Sequence, residues 1–213
     1  MIELLRRHFP PEHHYFARQR LPDAIDRFCR RMLYEPIVSG PRHSLWSPAT
    51  AAVSRLGSLI GWVPESLPAV FFFESVRMEL AACFAAAENR VYGGDTHIAA
   101  ADRLLEAAGI TRLAPSQPYS LSDGETKLVR FLGQLAKAPE YLIMSNPERG
   151  LSDGSLERLA AVISLETVSA SAGSGFPVFI LGCPAGEPGR LQSLLSPPRW
   201  RTVTDPLFTR QDG

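Results

Sequence analysis

The chain has 213 residues, enough for one domain with a sizeable core or one domain plus a small lobe. Its 22 basic and 22 acidic side chains balance, so overall charge argues for neither nucleic acid nor an acidic membrane as a partner. Apolar residues make up 45%, an ordinary globular share, and no run approaches the ~20 apolar residues of a membrane helix.

The first residues, MIELLRRHFPPEHH, have no apolar core of signal-peptide type. Residues 1–22 are basic and carry prolines, with His13 to Ala17 reading as a strand. His13 and His14 have no spaced carboxylate or cysteine partners and read as surface residues rather than ligands. Asp23 is placed to cap a helix to Leu33, with Ile25, Phe28, Cys29, Met32 and Leu33 on one apolar face. Pro36 to Gly40 ends it. Ala49 to Leu56 reads as a short helix and Gly57 to Val63 as a strand, followed by Pro64-Glu65. Phe71-Phe72-Phe73 reads as core or as a docking surface rather than a stacking platform.

A helix follows from about Ser75 to Ala87, and another from about Thr96 to Ala108 with Gly109 as its C-cap. Ser122 reads as the N-cap of the next helix, with Glu125 as its capping-box partner. Leu128, Leu132, Leu135 and Ala136 recur at helical spacing, and Pro139 closes the helix. Tyr141-Leu142-Ile143-Met144 is a continuous apolar run, as in a strand buried on both faces. A helix then runs from Asp153 to roughly Glu166, and Ser169 to Gly175 reads as a flexible connection. Val178 to Leu181 reads as a strand ending in Gly182-Cys183-Pro184, Gly189 to Leu195 as a short helix, and Trp200 to Val203 as an edge strand. Cys29, Cys83 and Cys183 are odd in number and far apart. They read as buried thiols of a reducing compartment, not a disulfide framework or zinc site.

The stretch LSDGETKLVRFLGQLAKAPEYLIMSNPERGLSD, Leu121 to Asp153, resembles the signature-to-Walker-B segment of the ATP-binding cassette (ABC) ATPases. LSDGE at Leu121, Ser122, Asp123, Gly124 and Glu125 stands for the family's LSGGQ. Leu142 to Pro147 stands for its apolar strand and Asp-Glu-Pro, and Gly150-Leu151-Ser152 for its D-loop, Gly-Leu-Asp. By this resemblance Ser145 sits where the Mg-supporting aspartate would be, and Asn146 where the catalytic glutamate would be. Glu65 takes the place of the Q-loop glutamine and Cys183 that of the switch histidine. Leu128 stands where the family usually has arginine.

Counting back from Glu35-Pro36-Ile37-Val38-Ser39-Gly40, which resembles the end of the family's P-loop helix, puts Asp23-Ala24-Ile25 at the Gly-Lys-Ser of Walker A. A P-loop needs glycines so that backbone N–H groups can wrap the phosphates, a lysine for their charge, and a hydroxyl for Mg²⁺. Arg18 to Asp26 (RQRLPDAID) has no glycine and no lysine, and no G-x-x-x-x-G-K-[ST] occurs in the chain.

The resemblance implies an α/β fold of P-loop NTPase type: a parallel sheet with a helical subdomain inserted at roughly 71–114 and a truncated N-terminal β-subdomain, all in one domain. ABC ATPases pair one subunit's P-loop with the other's signature loop. The resemblance therefore implies a pseudo-ATPase with no catalytic residues, metal site or cofactor of its own, meeting ATP and Mg only through a partner. That partner would be an active ABC ATPase, as a heterodimer, with a membrane permease and no nucleic acid. The chain would be cytoplasmic, held at the inner face of the membrane by its partner. Two other readings stand beside it: a scaffold with the ABC fold that never binds nucleotide, and a divergent but active transporter ATPase.

Overall fold

Five short strands make one sheet: β1 (His14–Ala17), β2 (Ile60–Val63), β3 (Tyr141–Ser145), β4 (Val178–Gly182) and β5 (Trp200–Val203). Their order is β2-β3-β4-β1-β5, and every pairing is parallel. The computed structural model describes residues 2–17, 59–65, 71–88, 90, 94–169, 177–183, 189–195 and 200–203. The helix expected from Asp23 to Leu33, the Glu35–Gly40 turn, the helix at Ala49 to Leu56, Cys29 and the Asp23-Ala24-Ile25 position lie outside the described residues. So does most of the Ser169 to Gly175 connection.

Strands β1 to β4 are buried on both sides because a parallel sheet is covered on both faces, whereas β5 is partly exposed. Side chains alternate between two cores, as the two-residue repeat of a strand requires. Phe16, Val63, Leu142, Met144, Phe179 and Leu181 face the larger core. Tyr15, Ile60, Tyr141, Ile143, Val178 and Ile180 face the smaller one.

The larger core is closed by α2 (Val76–Ala87), α3 (Asp95–Ala107), α4 (Asp123–Ala136), α5 (Asp153–Ser169) and α6 (Arg190–Leu194). Between β2 and β3 the chain forms α2 and α3, packed on each other and joined by an Arg77–Asp102 ion pair of 2.7 Å, before it returns as α4. At the centre of this core Phe131 of α4, fully buried, stacks on Phe179 of β4 with ring centroids 6.2 Å apart. Where α4 crosses β2, Gly61 has no room for a side chain, since an added Cβ would stand 3.1 Å from Pro139 Cγ and 3.3 Å from Gln134 Cβ.

The smaller core holds an element the sequence pattern did not suggest, the seven-residue α1 (Ile2–His8). A helix so short is stable only through its tertiary contacts. Leu5 and Phe9 enter the core, and Arg6 donates to both carboxylate oxygens of Glu140 at 2.7 and 2.9 Å. The Tyr141 hydroxyl donates to the Phe9 carbonyl (3.0 Å), and the Tyr15 hydroxyl to the Pro10 carbonyl (2.9 Å).

His14 corrects one expectation. It is buried in β1, not a surface residue. Its Nδ1 accepts from the Phe179 N–H (3.3 Å) and its ring lies between those of Phe179 and Trp200. The strand repeat that carries Phe16 into the larger core carries His14 with it. The fifth strand also runs in parallel at the sheet's edge, and α5 continues three residues past the expected end at Glu166. Of the described cysteines, Cys183 is buried; Cys83 is half-buried against Gly133, and desolvation raises its thiol pKa.

Replacing Phe131 by alanine should lower unfolding free energy by about 3–5 kcal/mol, as loss of a buried aromatic does. Leu165→Ala, at an exposed site on α5, should stay within about 0.5 kcal/mol of wild type. Urea denaturation of the two variants checks both.

Candidate functional site

In this sheet the strands end together. Val63 pairs with Met144, Ser145 with Gly182, Gly182 with Ala17 and Ala17 with Val203. From β1 the chain leaves toward β2, and from β4 it leaves in the other direction, toward β5. Open α/β sheets bind ligands at such a reversal, beyond the carboxyl ends of the strands. Here the reversal lies between β1 and β4, where the Cys183 N–H donates to the Ala17 carbonyl (2.8 Å). Cys183 is buried with its thiol toward the Leu181 carbonyl (3.7 Å).

One strand over, Ser145 is buried as the last residue of β3. Asn146 follows in left-handed backbone, φ 45°, with its N–H donated to the Gly182 carbonyl (2.8 Å). Asparagine tolerates that conformation better than most residues. Its side-chain Nδ2 donates to Glu65, which stands just after Pro64 at the end of β2. Arg149, three residues on, donates to the other Glu65 oxygen. Among the described residues the Asn146 Oδ1 is buried without a hydrogen-bond partner. Thus two of the positions singled out from sequence, Glu65 and Asn146, do meet, and they meet each other.

Two participants were not anticipated. Lys127, in the second turn of α4, is buried, and its ammonium donates to the carbonyls of Asn146 (2.5 Å) and Arg149 (2.8 Å). Its place on the Lys127, Phe131, Leu135 stripe is the signal: a cation at four-residue spacing on an apolar face must find acceptors inside. Arg149 gave less warning, since an exposed arginine in a turn is ordinary.

Charge balance shifts both titrating groups. The Asn146 hydrogen bond, with help from the Arg149 hydrogen bond and charge and from the Lys127 charge, holds the Glu65 carboxyl below the usual range against the opposing effect of burial. Burial pushes the Lys127 ammonium down to about 8; the attraction of Glu65 opposes this, and the charges of Arg149 and Arg130 add to it.

The signature-like loop lies one turn earlier, at the start of the same helix. The Ser122 Oγ accepts from the Glu125 N–H (3.4 Å), and Glu125 Oε2 accepts from the Ser122 N–H (3.1 Å) and hydroxyl (2.9 Å). This is the expected capping box. Arg112 closes it from outside, donating to Glu125 Oε1 at 2.5 Å. These hydrogen bonds, Arg112's first, hold the Glu125 carboxyl below its usual range. Asp123 is exposed, Leu121 half-buried, and Leu128 buried in the larger core. Gly124 abuts the turn after β3: an added Cβ would stand 3.1 Å from the Gly150 carbonyl oxygen. Gly150 has φ 78°, which glycine adopts without steric cost. Leu151 follows, and Ser152 caps α5, its Oγ accepting from the Ser155 N–H (3.3 Å). The loop Leu121–Glu125 and the turn Gly150–Ser152 are therefore neighbours.

Both Glu65 oxygens are engaged, the Lys127 ammonium donates to carbonyls, and among the described residues no three His, Cys, Asp or Glu side chains converge as a metal site. Among the described residues no helix is long and apolar enough to cross a membrane.

The fold is that of the ABC ATPases. It matches an ATP-binding cassette solved as a dimer in a post-hydrolysis state with ADP and phosphate: TM-score 0.58, 13% identity, 83% of this chain and 75% of that one. It matches an ATP-binding subunit of an ABC transporter at TM-score 0.51 and 14% identity, over 81% and 68% of the two chains. In sequence the chain is similar to ABC transporter ATP-binding proteins. It is 30% identical over 112 residues to one from Pyrococcus horikoshii, covering 53% of this chain and 42% of that protein. It is 27% identical over 135 residues to an uncharacterised one from Haemophilus influenzae, covering 50% and 61%. With LolD, the lipoprotein-releasing system ATP-binding protein of Roseobacter denitrificans, it shares 37% over 83 residues, covering 36% and 37%. The chain thus spans less than two thirds of each of these relatives. No protein-family model matches it. In fold, and over part of its sequence, the chain is therefore similar to ABC transporter ATP-binding proteins.

The shifts at Glu65 and Lys127 set opposite pH limbs. Glu65 titrates lower folded than unfolded, so its stabilisation is complete above about pH 4.3 and lost as pH falls through the folded value. Glu65→Gln should flatten that acid limb. Lys127 also titrates lower folded than unfolded, so between about pH 8 and about pH 10.4 the unfolded chain binds more protons and stability gains from rising pH. Lys127→Met should remove this gain; urea midpoints across both windows measure the two effects.

Proposed function

We propose that this chain is a catalytically degenerate ABC-type subunit, a pseudo-ATPase, that pairs with an active ABC ATPase in a membrane transport complex and has a structural or regulatory role there. One observation carries the reading: Glu65 and Asn146, at the Q-loop and catalytic-glutamate positions, are hydrogen-bonded to each other. ATP hydrolysis needs positioned charge on the phosphates and a group that orients the attacking water. An amide donating to a carboxylate supplies neither. The lack of glycine and lysine in Arg18 to Asp26, the alanine and aspartates around Asp23-Ala24-Ile25, Ser145, and Cys183 at the switch position support the same reading. In this proposal residues 1–213 are one ABC-like domain whose helical subdomain spans roughly 71–114, with the N-terminal β-subdomain truncated.

Any nucleotide chemistry then belongs to the partner. The loop Leu121 to Glu125 is the part of this chain that would face the partner's ATP, with the Ser122 hydroxyl, the Gly124 N–H and the helix N-terminus toward the γ-phosphate. A second reading, a scaffold that never meets nucleotide, is favoured by a specific feature of that loop. The Ser122 hydroxyl already donates to Glu125, and Asp123 and Glu125 place two carboxylates where a phosphate would approach.

The membrane side of the proposal rests on aromatics at the start of the helical insertion. Phe71 is buried, and its N–H and carbonyl both bond the Tyr119 hydroxyl (3.1 and 2.8 Å). The N–H groups of Phe72 and Phe73 both donate to Glu79 Oε2 (2.9 and 3.0 Å). Thus clamped, the chain leaves Phe72 81% and Tyr119 64% exposed. Two exposed rings on fixed backbone suit a docking surface, and a permease is the partner of the reading. The chain would then be cytoplasmic and peripheral to the membrane.

The isolated chain should show no binding of MgATP at millimolar concentration by calorimetry; saturable heat at the mutated P-loop position would overturn the reading. In the complex purified with its ATPase partner, Ser122→Arg should cut hydrolysis at least tenfold if the loop completes the partner's site. Unchanged turnover with an intact complex would leave the scaffold. Phe72→Asp should reduce recovery of the membrane partner while the ATPase partner stays bound.

A further inference from the structure

We propose that Glu65, Asn146, Arg149 and Lys127 form a latch that holds the loop Leu121–Glu125 and the turn Gly150–Ser152 assembled as one surface without any nucleotide. The inference concerns this chain's own conformation and does not depend on the pairing reading above.

The turn from Asn146 to Gly150 is held from two sides. Its side chains reach the end of β2, where Asn146 Nδ2 and Arg149 donate to the two oxygens of Glu65. Its backbone reaches α4, where Lys127 donates to the carbonyls of Asn146 and Arg149. Three elements far apart in sequence thus meet at five residues. The turn's own hydrogen bonds are few: Arg149 N–H to the Asn146 carbonyl and Leu151 N–H to the Glu148 carbonyl, each 3.2 Å. It is tied further by the Asn146 N–H to the Gly182 carbonyl and by Glu148 to the first N–H groups of α6, but it carries two left-handed residues, Asn146 and Gly150, and the latch is what ties it to β2 and α4.

Charge accounts for the choice of groups. Glu65 lies between a guanidinium and a primary amide, and Lys127 brings a second cation to the backbone carbonyls of the two residues whose side chains bond Glu65. The carboxylate and the two cations neutralise one another in part inside the chain, and a bridging ion is not required. Charge-assisted bonds of this kind are the strong ones, more so in partly buried surroundings. The latch reaches the loop through contact: Gly124, three residues before Lys127, lies close against the Gly150 carbonyl, where an added Cβ would stand 3.1 Å from the oxygen. The position of the turn therefore fixes the position of the loop.

The test is amide hydrogen exchange in the isolated full chain, read at Leu151, for Glu65→Gln, Arg149→Ala and the double variant. Arg149 is 75% exposed and Glu65→Gln keeps side-chain size, so both substitutions spare the core. The latch predicts that each single variant speeds Leu151 exchange more than fivefold while the β3 and β4 amides keep their protection. It predicts further that the double variant exceeds the faster single by less than twofold, because both break one device. A rise below fivefold in either single, or effects that multiply in the double, would overturn it. Should a variant also loosen the strands, Arg149→Met decides by the same fivefold threshold, since it keeps an unbranched side chain at this exposed site and loses the donor to Glu65.

Discussion

A parallel sheet covered on both faces offers polar chemistry only at its edge, and here that edge must satisfy itself. Every strand ends within one residue of its neighbour, so the groups that follow β2, β3 and β4 crowd together. Burying a polar atom without a partner costs about 1–3 kcal/mol, more if it is charged. The arrangement of Glu65, Asn146, Arg149 and Lys127 answers that cost with protein groups alone, leaving the Asn146 Oδ1 as the exception. The same turn serves in another direction too. Glu148 accepts from the Arg190 and Leu191 N–H groups (3.1 and 2.9 Å) at the start of α6, and Gly189 leaves the space its carboxylate occupies. Five residues after β3 thus anchor β2, α4 and α6 at once.

The larger core follows from the same geometry. The α4 helix is amphipathic in the ordinary sense, with Leu128, Phe131, Leu132 and Leu135 turned to the sheet. Its polar exception is Lys127, and that exception is what joins the helix to the edge. The helix thus has two attachments of different kinds, one dispersive and non-directional, one electrostatic and directional. The first sets how strongly it packs; the second sets where along its axis it rests. Gly61 and Gly133 add close approaches to β2 and α2 that permit the fit.

Much of this was legible beforehand because it depends on local chemistry. The capping box at Ser122 and Glu125, the run Tyr141 to Met144, the helix stops at Gly109 and Pro139 and the edge strand at Trp200 are signals carried by neighbouring residues. The parallel α/β fold followed from the segment Leu121 to Asp153 and its likeness to ABC ATPases. What escaped reading depends on contacts across the chain. The α1 helix has no pattern of its own and is held by Glu140 and the Phe9 pocket. His14 looked like a surface histidine because its polarity is visible in sequence, whereas the aromatic slot between Phe179 and Trp200 is not. Arg149 and Lys127 acquired their roles from Glu65 and from two carbonyls distant in sequence.

The backbone at Asn146 bears on how such a chain could change over generations. A glutamate substituted there would stand at φ 45°, a conformation that costs a residue other than glycine roughly 1 kcal/mol. It would also aim a second carboxylate at Glu65, where the amide now donates. Placing a glutamate at 146 would therefore demand that residue 65, and the turn's shape, alter in step. A valley thus separates asparagine from glutamate at this position, and drift alone would tend to keep a lineage on the side where it stands.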